Sequence, residues 1–227
     1  PDSTLLPPVE QPLLQLPADE AIALPAKNFY LLAGGQRERQ QDLAYRVARQ
    51  ADKNICMLNA DHLVLQTDSA AALKQGLVSV ALSQQVLFWP DCTPLLKQHP
   101  DWVIILQEWL ALHNTILVLG ELSITTLPDT LAMQQPVMVE LPALDAAGKT
   151  MVWERLAAQV LPPNNIDWSA MSKQHPDLPI PTILQALEKT NQICPRGQTI
   201  TAAWVNKGLE QSAPQNIDGA ALKTRLH

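Results

Sequence analysis

Aromatic residues are scarce in this chain, at 4% of the sequence, so its core must be built from Leu, Ala, Val and Ile, although six of the aromatics are Trp. Cysteine is scarcer. Cys56, Cys92 and Cys194 are far apart, odd in number and form no C-x-x-C pair. That argues against a zinc knuckle and a disulfide scaffold, and it points to a reducing cytoplasm. No apolar run reaches the ~20 residues of a transmembrane helix. The first residues, Pro-Asp-Ser-Thr-Leu-Leu-Pro-Pro, lack a basic region followed by an apolar one, as a signal peptide would have. A basic stripe is missing too: Arg37-Glu38-Arg39 is interrupted by an acid, the net charge is −6 and the pI is near 5.3. Nucleic acid and membrane are therefore not expected as partners. His62, His99, His113 and His175 show no ligand spacing, so no metal is expected. The chain begins without Met, which suggests an excised fragment of a longer protein.

What is present is 227 residues with an apolar fraction of 47%, enough for one large unit and one smaller one. Residues 1–25 hold six of the nineteen prolines and predict a Pro-rich linker or docking arm. Leu5, Leu6, Leu13, Leu14 and Leu16 favour docking. An alternation of strands and helices follows. Short apolar runs predict strands at Phe29–Ala33, Ile55–Leu58, Val86–Trp89, Thr115–Leu119 and Val137–Leu141. Amphipathic segments between them predict helices at 39–51, 70–83 (capped by Asp68 or Ser69) and 100–112. Strands apolar on both faces and alternating with helices imply a parallel sheet covered on both sides, over residues 26–145. From 146 to 212 the signals are only helical, at 146–160, 183–187 and 200–209. Residues 213–227 read as a tail or linker.

The first strand, Gly34-Gly35 and the following helix form the context of a phosphate loop, G-x-x-x-x-G-K-[ST]. In that loop backbone N–H groups wrap the phosphates, Lys reaches the β/γ-phosphates and a hydroxyl holds Mg²⁺. Laid on Gly34, the pattern finds its first glycine, with Gly35 beside it. Its second glycine falls on Arg39, its Lys on Gln40 and its Ser/Thr on Gln41. A glycine pair alone is also an ordinary strand-to-helix turn. Arg37 and Arg39 read either as grips for a phosphate or an acidic partner, or as a solvated loop.

The order of elements, the helix register after Gly34 and the helical appendix resemble the AAA+ family, over residues 26 to 212. The resemblance implies an α/β fold with a three-layer P-loop-type parallel sheet, followed by a small α-helical lid subdomain. It also implies that the family's second motif, four apolar residues then Asp-Glu, falls on Val86–Trp89, Pro90 and Asp91. Pro90 has no carboxylate, and Asp91 stands one methylene short of Glu. Where a γ-phosphate sensor is implied, Gly120-Glu121 follows the fourth strand. Where arginine fingers are implied, Leu131 to Pro136 has none, and no Arg stands between Arg49 and Arg155. Arg196 lies near the place of a lid arginine. Trp89, at the end of a strand, is a candidate for filling a vacated nucleotide pocket, against the plainer reading of core packing.

The whole resembles the first, inactive AAA+ region of bacterial tandem AAA+ proteins, some of which accompany contractile injection systems. It implies a non-catalytic module for assembly or regulation, with Gly34, Gly35, Arg39, Gln40, Gln41, Pro90 and Asp91 as degenerate, non-functional positions. No catalytic residue is expected, and no cofactor: ATP or ADP with Mg belongs to an active module of the full-length protein, itself an ATPase. The partners implied are that AAA+ module of the same polypeptide, further copies in a homo-oligomer and a protein substrate. The alternatives are a stand-alone binding adaptor like a clamp-loader subunit, and an atypical nucleotide-binding ATPase.

Overall fold

The computed structural model describes residues 4–120, 128–195 and 197–212. The chain divides into two compact units, Pro1–Asp145 and Ala146–His227.

The first unit carries, in order, α1 (Pro17–Glu20), β1 (Phe29–Ala33), α2 (Arg37–Gln50), β2 (Ile55–Met57), α3 (Ala60–Val64), α4 (Ser69–Leu82), β3 (Val86–Trp89), α5 (Cys92–Gln98), α6 (Pro100–Leu112), β4 (Ile116–Gly120), α7 (Asp129–Ala132) and β5 (Val137–Glu140). The five strands form one parallel sheet in the order β2-β3-β4-β1-β5. Strand residues alternate between two faces, and both faces are covered, so β1, β3 and β4 read as continuous apolar runs. Leu31, Leu87, Trp89, Leu117 and Leu119 pack in one core with α4, α5 and α6. Tyr30, Leu32, Phe88 and Val118 pack in the other, against Leu43, Ala44, Val47 and Ala48 of α2. β5 at the sheet edge is only partly buried.

Local chemistry sets the helix ends. Asp68 caps α4 by accepting from the Ala71 N–H at 2.9 Å. Pro100 opens α6, where its missing N–H costs nothing. Trp102, Ile105, Leu106 and Trp109 then recur at helical spacing and are buried. The Trp109 indole donates to the Leu77 carbonyl at 3.1 Å and ties α6 to α4. The short helices α3, α5 and α7 gave no periodic signal, because they run for only 4–7 residues.

The Pro-rich arm is part of this unit. Residues 5 to 9 lie along the free edge of β2: the Met57 N–H donates to the Pro7 carbonyl at 3.0 Å, the Val9 N–H to the Ile55 carbonyl at 3.1 Å, and the Asn59 N–H to the Leu5 carbonyl at 2.9 Å. Prolines are tolerated there because the arm is itself an edge. Leu5, Leu6, Leu14 and Leu16 are buried. The Asp42 carboxylate of α2 accepts three successive N–H groups, from Leu13, Leu14 and Gln15, at 2.5, 2.6 and 2.8 Å. Burial pushes the Asp42 carboxyl up from its ordinary value, and those three N–H groups pull it back in part. Arg46 donates to the carbonyls of Asp19 and Ile22.

The second unit contains α8 (Ala146–Val160), α9 (Trp168–Gln174), α10 (Ile180–Ile193) and α11 (Ala202–Ser212). Trp153 of α8 stacks on Trp168 of α9 with centroids 6.0 Å apart. α10 and α11 cross where α11 has Gly208. A Cβ there would lie 2.3 Å from the Thr190 hydroxyl oxygen and 2.5 Å from the Ala186 carbonyl oxygen, so only glycine admits this approach. Arg196 and residues 213–227 lie outside the described residues.

All three cysteines are free thiols; Cys56 and Cys92 are buried and Cys194 is partly exposed. Burial pushes the Cys56 thiol up to about 12. A thiol-specific chromogenic reagent should therefore titrate one cysteine in the native protein and all three after denaturation in guanidinium. Rapid labelling of Cys56 in the native state would contradict this packing.

Candidate functional site

In an open parallel sheet the ligand crevice lies at the carboxyl ends of the strands. Here β3, β4 and β1 are neighbours, so their ends bring together Trp89-Pro90-Asp91, Gly120 and Gly34-Gly35. α2 starts from the same edge with its N-terminus.

The turn itself is short. Gly34 and Gly35 have φ of 71° and 67°, and Gln36 precedes a helix that begins at Arg37, two residues before the expected Arg39. The Gln36 carbonyl closes the first turn by accepting from the N–H groups of Arg39 and Gln40, at 3.0 and 3.1 Å. Those two amides therefore point along the helix. The glycines are required by local packing: a Cβ on Gly34 would lie 2.9 Å from the Leu141 carbonyl oxygen, and one on Gly35 would lie 3.0 Å from the Leu141 Cβ. Positive φ and this close approach to the chain leaving β5 account for both residues.

Gln40 and Arg39 both have partners within the chain. Gln40, at the lysine position, is fully buried; its Nε2 donates to the Gly34 carbonyl at 2.9 Å. Its Oε1 lies against Gly120, where a Cβ would approach it to 2.3 Å, and has no hydrogen-bond partner among the described residues. Arg39, at the second-glycine position, is 2% exposed, which rules out the solvated-loop reading. Its Nε and Nη2 grip both oxygens of Asp19 at 2.9 and 2.5 Å, and its Nη1 donates to the Pro142 carbonyl at 2.8 Å. Arg39 thus joins the arm, α2 and the segment after β5. The acidic partner offered to this arginine by the sequence is supplied by the arm. Gln41 is partly exposed.

Glu38 stands in the first turn of α2, where the helix dipole favours an anion. Burial pushes its carboxyl up, while its own backbone N–H and Arg37 pull it down. Its Oε2 is buried without a hydrogen-bond partner among the described residues.

At the second motif, Pro90 is buried beside Gly120. Asp91 adopts a left-handed conformation with φ 52° at the start of α5 and forms a half-exposed ion pair with Arg37 at 3.7 Å. Trp89 does not enter the loop. Its position in β3 directs it to the face opposite α2, where it is fully buried with its ring 5.8 Å from that of Trp102. The side chain that occupies the space beside Gly34 and Gly120 is Gln40, and alternation along β3 excluded Trp89 from it. Leu131 and Ala132 lie in α7, and Met133 to Pro136 connect it to β5. Glu121 lies outside the described residues. Among the described residues no group of three His, Cys, Asp or Glu side chains is placed to hold a metal ion, and no helix is long and apolar enough to cross a membrane.

Sequence reasoning missed Asp19, Asp42 and Arg46. The only signal available was their charge beside apolar neighbours, and the partners are 20 or more residues apart.

No family model matches this chain, and no curated protein matches it. Among solved structures, the AAA domain of FIGL-1 in complex with ADP is similar, with a TM-score of 0.62. The match covers 86% of this chain and 75% of that one, at 10% sequence identity. At such identity the likeness concerns the fold, and the fold is that of an AAA+ domain: a parallel α/β sheet of P-loop type with a helical unit after it.

Proposed function

We propose that this chain is a non-catalytic AAA+ module that supplies assembly or regulatory surface to a larger ATPase, whose active module lies outside the chain. The observation that carries the reading is the fate of Gln40, which turns back onto the Gly34 carbonyl where a lysine would extend to phosphate. The residues at this edge do not fit a magnesium–triphosphate group. The turn is too short to wrap phosphates, Glu38 already places a carboxylate at the helix N-terminus, and Arg39 is committed to Asp19. Pro90 offers the metal nothing. Without a metal, a phosphate lysine or a trans arginine, phosphoryl transfer loses its electrostatic stabilisation; the arginine alone supplies a factor of about 10³–10⁵. The partners in this reading are the active AAA+ module of the same polypeptide, further copies of the chain in an oligomer, and a protein substrate. A bacterial tandem protein, including one that serves a contractile injection system, is the setting that the sequence resemblance favours.

The double substitution Gln40→Lys with Gln41→Thr tests this reading. Phosphate release from ATP and Mg²⁺ should stay at the no-enzyme background, because the carboxylate and arginine positions remain empty. Hydrolysis above that background would overturn the reading of Pro90 and Asp91.

A further inference from the structure

The outer faces of α4 and α6 carry four of the eight large apolar side chains that stand exposed among the described residues. Lys74, Val78 and Leu82 follow one another a turn apart on α4, and Ile104, Glu108 and Leu112 do the same on α6. Residues four apart form a ridge along a helix, so each helix presents one ridge to solvent. Leu82 and Leu112 are 82% and 77% exposed, so the core does not use them. Single exposed hydrophobics are ordinary, whereas a contiguous patch marks an interaction surface.

The two ridges are neighbours. α4 and α6 pack in one core over the same face of the sheet, and the Trp109 indole reaches the Leu77 carbonyl. Each helix returns from one parallel strand to the next, so the two run the same way. Ala81 and His113 line one cavity, which places Leu82 and Leu112 at the same end. Counted back by turns from there, Lys74 stands level with Ile104.

The charges are sorted by helix. Lys74 is the only charged residue of α4, and Asp101 and Glu108 are the only ones of α6. All three are exposed, and none forms an ion pair among the described residues. One helix offers a cation, the other offers acids, and both offer apolar side chains beside them.

We propose that this face binds a second copy of the chain about a two-fold axis parallel to the helices. That axis lays α4 of each copy on α6 of the other, so every contact is made twice. Leu82 meets the second copy's Leu112. Lys74 comes between the second copy's Asp101 and Glu108, each about one turn, ~5.4 Å, away along the axis. Helices of 13 and 14 residues are about 20 Å long, and two side by side are about as wide. Such a face lies at the low end of specific interfaces, below about 1,200 Å² in total, so the dimer is weak. This deepens the assembly reading above by giving further copies a surface. The two fail separately. ATP hydrolysis would sink the non-catalytic reading and leave this face intact, and a monomer would sink this face without restoring a nucleotide site.

The test is sedimentation equilibrium of the 227-residue chain, at low and at high salt. A reversible monomer–dimer equilibrium is expected, with a dissociation constant of about 10–100 μM that salt weakens about 2- to 5-fold. Leu82→Glu should weaken it at least about 10-fold, by placing a charge in the apolar contact. Lys74→Glu should weaken it about 3- to 10-fold, and adding Asp101→Lys with Glu108→Lys should restore it. All four positions are exposed, so none of these substitutions threatens the fold. A monomer throughout would leave the face to another protein and overturn the proposal. A dimer that Leu82→Glu leaves intact, or charge reversals that do not compensate one another, would overturn it too.

Discussion

A chain truncated to begin at Ala26 is expected not to fold. The truncation follows the boundary that the sequence suggests, where prolines give way to the first strand. It would remove Leu5, Leu6, Leu14 and Leu16, all buried. At about 1.5–3 kcal/mol for each leucine, the lost burial is roughly 6–12 kcal/mol, against about 5–15 kcal/mol for the whole stability of a typical protein. It would also strip Asp42 of three N–H donors and Arg39 of its carboxylate, leaving both charges in a desolvated place. The edge of β2 would be left bare, a template for pairing with other chains. Far-ultraviolet circular dichroism and urea unfolding should show a cooperative transition for the full chain. The truncated chain should show none and should aggregate. An unchanged midpoint would mean that the arm is only draped on the surface.

Arg39→Ala is expected to lower stability by about 3–5 kcal/mol, the range for removing one partner of a buried ion pair. The pair is 3% and 6% exposed at its two side chains, and Arg39 also satisfies the Pro142 carbonyl. The loss comes mainly from stranding Asp19 without a countercharge. Replacing both partners with apolar residues, Arg39→Met with Asp19→Leu, should therefore recover much of it. Urea midpoints of the three variants, at a constant slope, would measure this. A loss under about 1 kcal/mol for Arg39→Ala would place the pair among surface ion pairs.

The elements were legible wherever apolar residues repeat over enough length. All five strands and the helices α2, α4, α6 and α8 follow from periodicity and from cap residues such as Asp68 and Pro100, with ends within two residues. α10 was legible only in its middle, at 183–187, although it runs from Ile180 to Ile193. The short helices α3, α5 and α9 were not legible, because a single turn or two gives no repeat to count. Legible too were the departures from the phosphate-loop and second-motif patterns: Arg39, Gln40 and Gln41 where those patterns have glycine, lysine and hydroxyl, and Pro90 where they have a carboxylate. What those side chains touch was not. The fold-back of Gln40 depends on the bareness of Gly120, 80 residues away, and the burial of Arg39 depends on Asp19, in a segment that the sequence marks as a Pro-rich linker or docking arm without naming its partner. The start of α2 at Arg37 also escaped, since Gln36 gives no side-chain cap that would mark it. Long-range polar pairs leave no periodic trace, so they appear only once the chain is folded.

The central claim, that this module carries the fold without the nucleotide site, is tested most directly by calorimetric titration of the chain with ATP and Mg²⁺, with ADP alongside. No binding heat and no rise in melting temperature are expected. Micromolar binding would contradict it, and at a hundredfold excess over the dissociation constant it would show as about 2.7 kcal/mol of added stability. That result would mean that Gly34 to Gln41 opens from the observed conformation to receive phosphate.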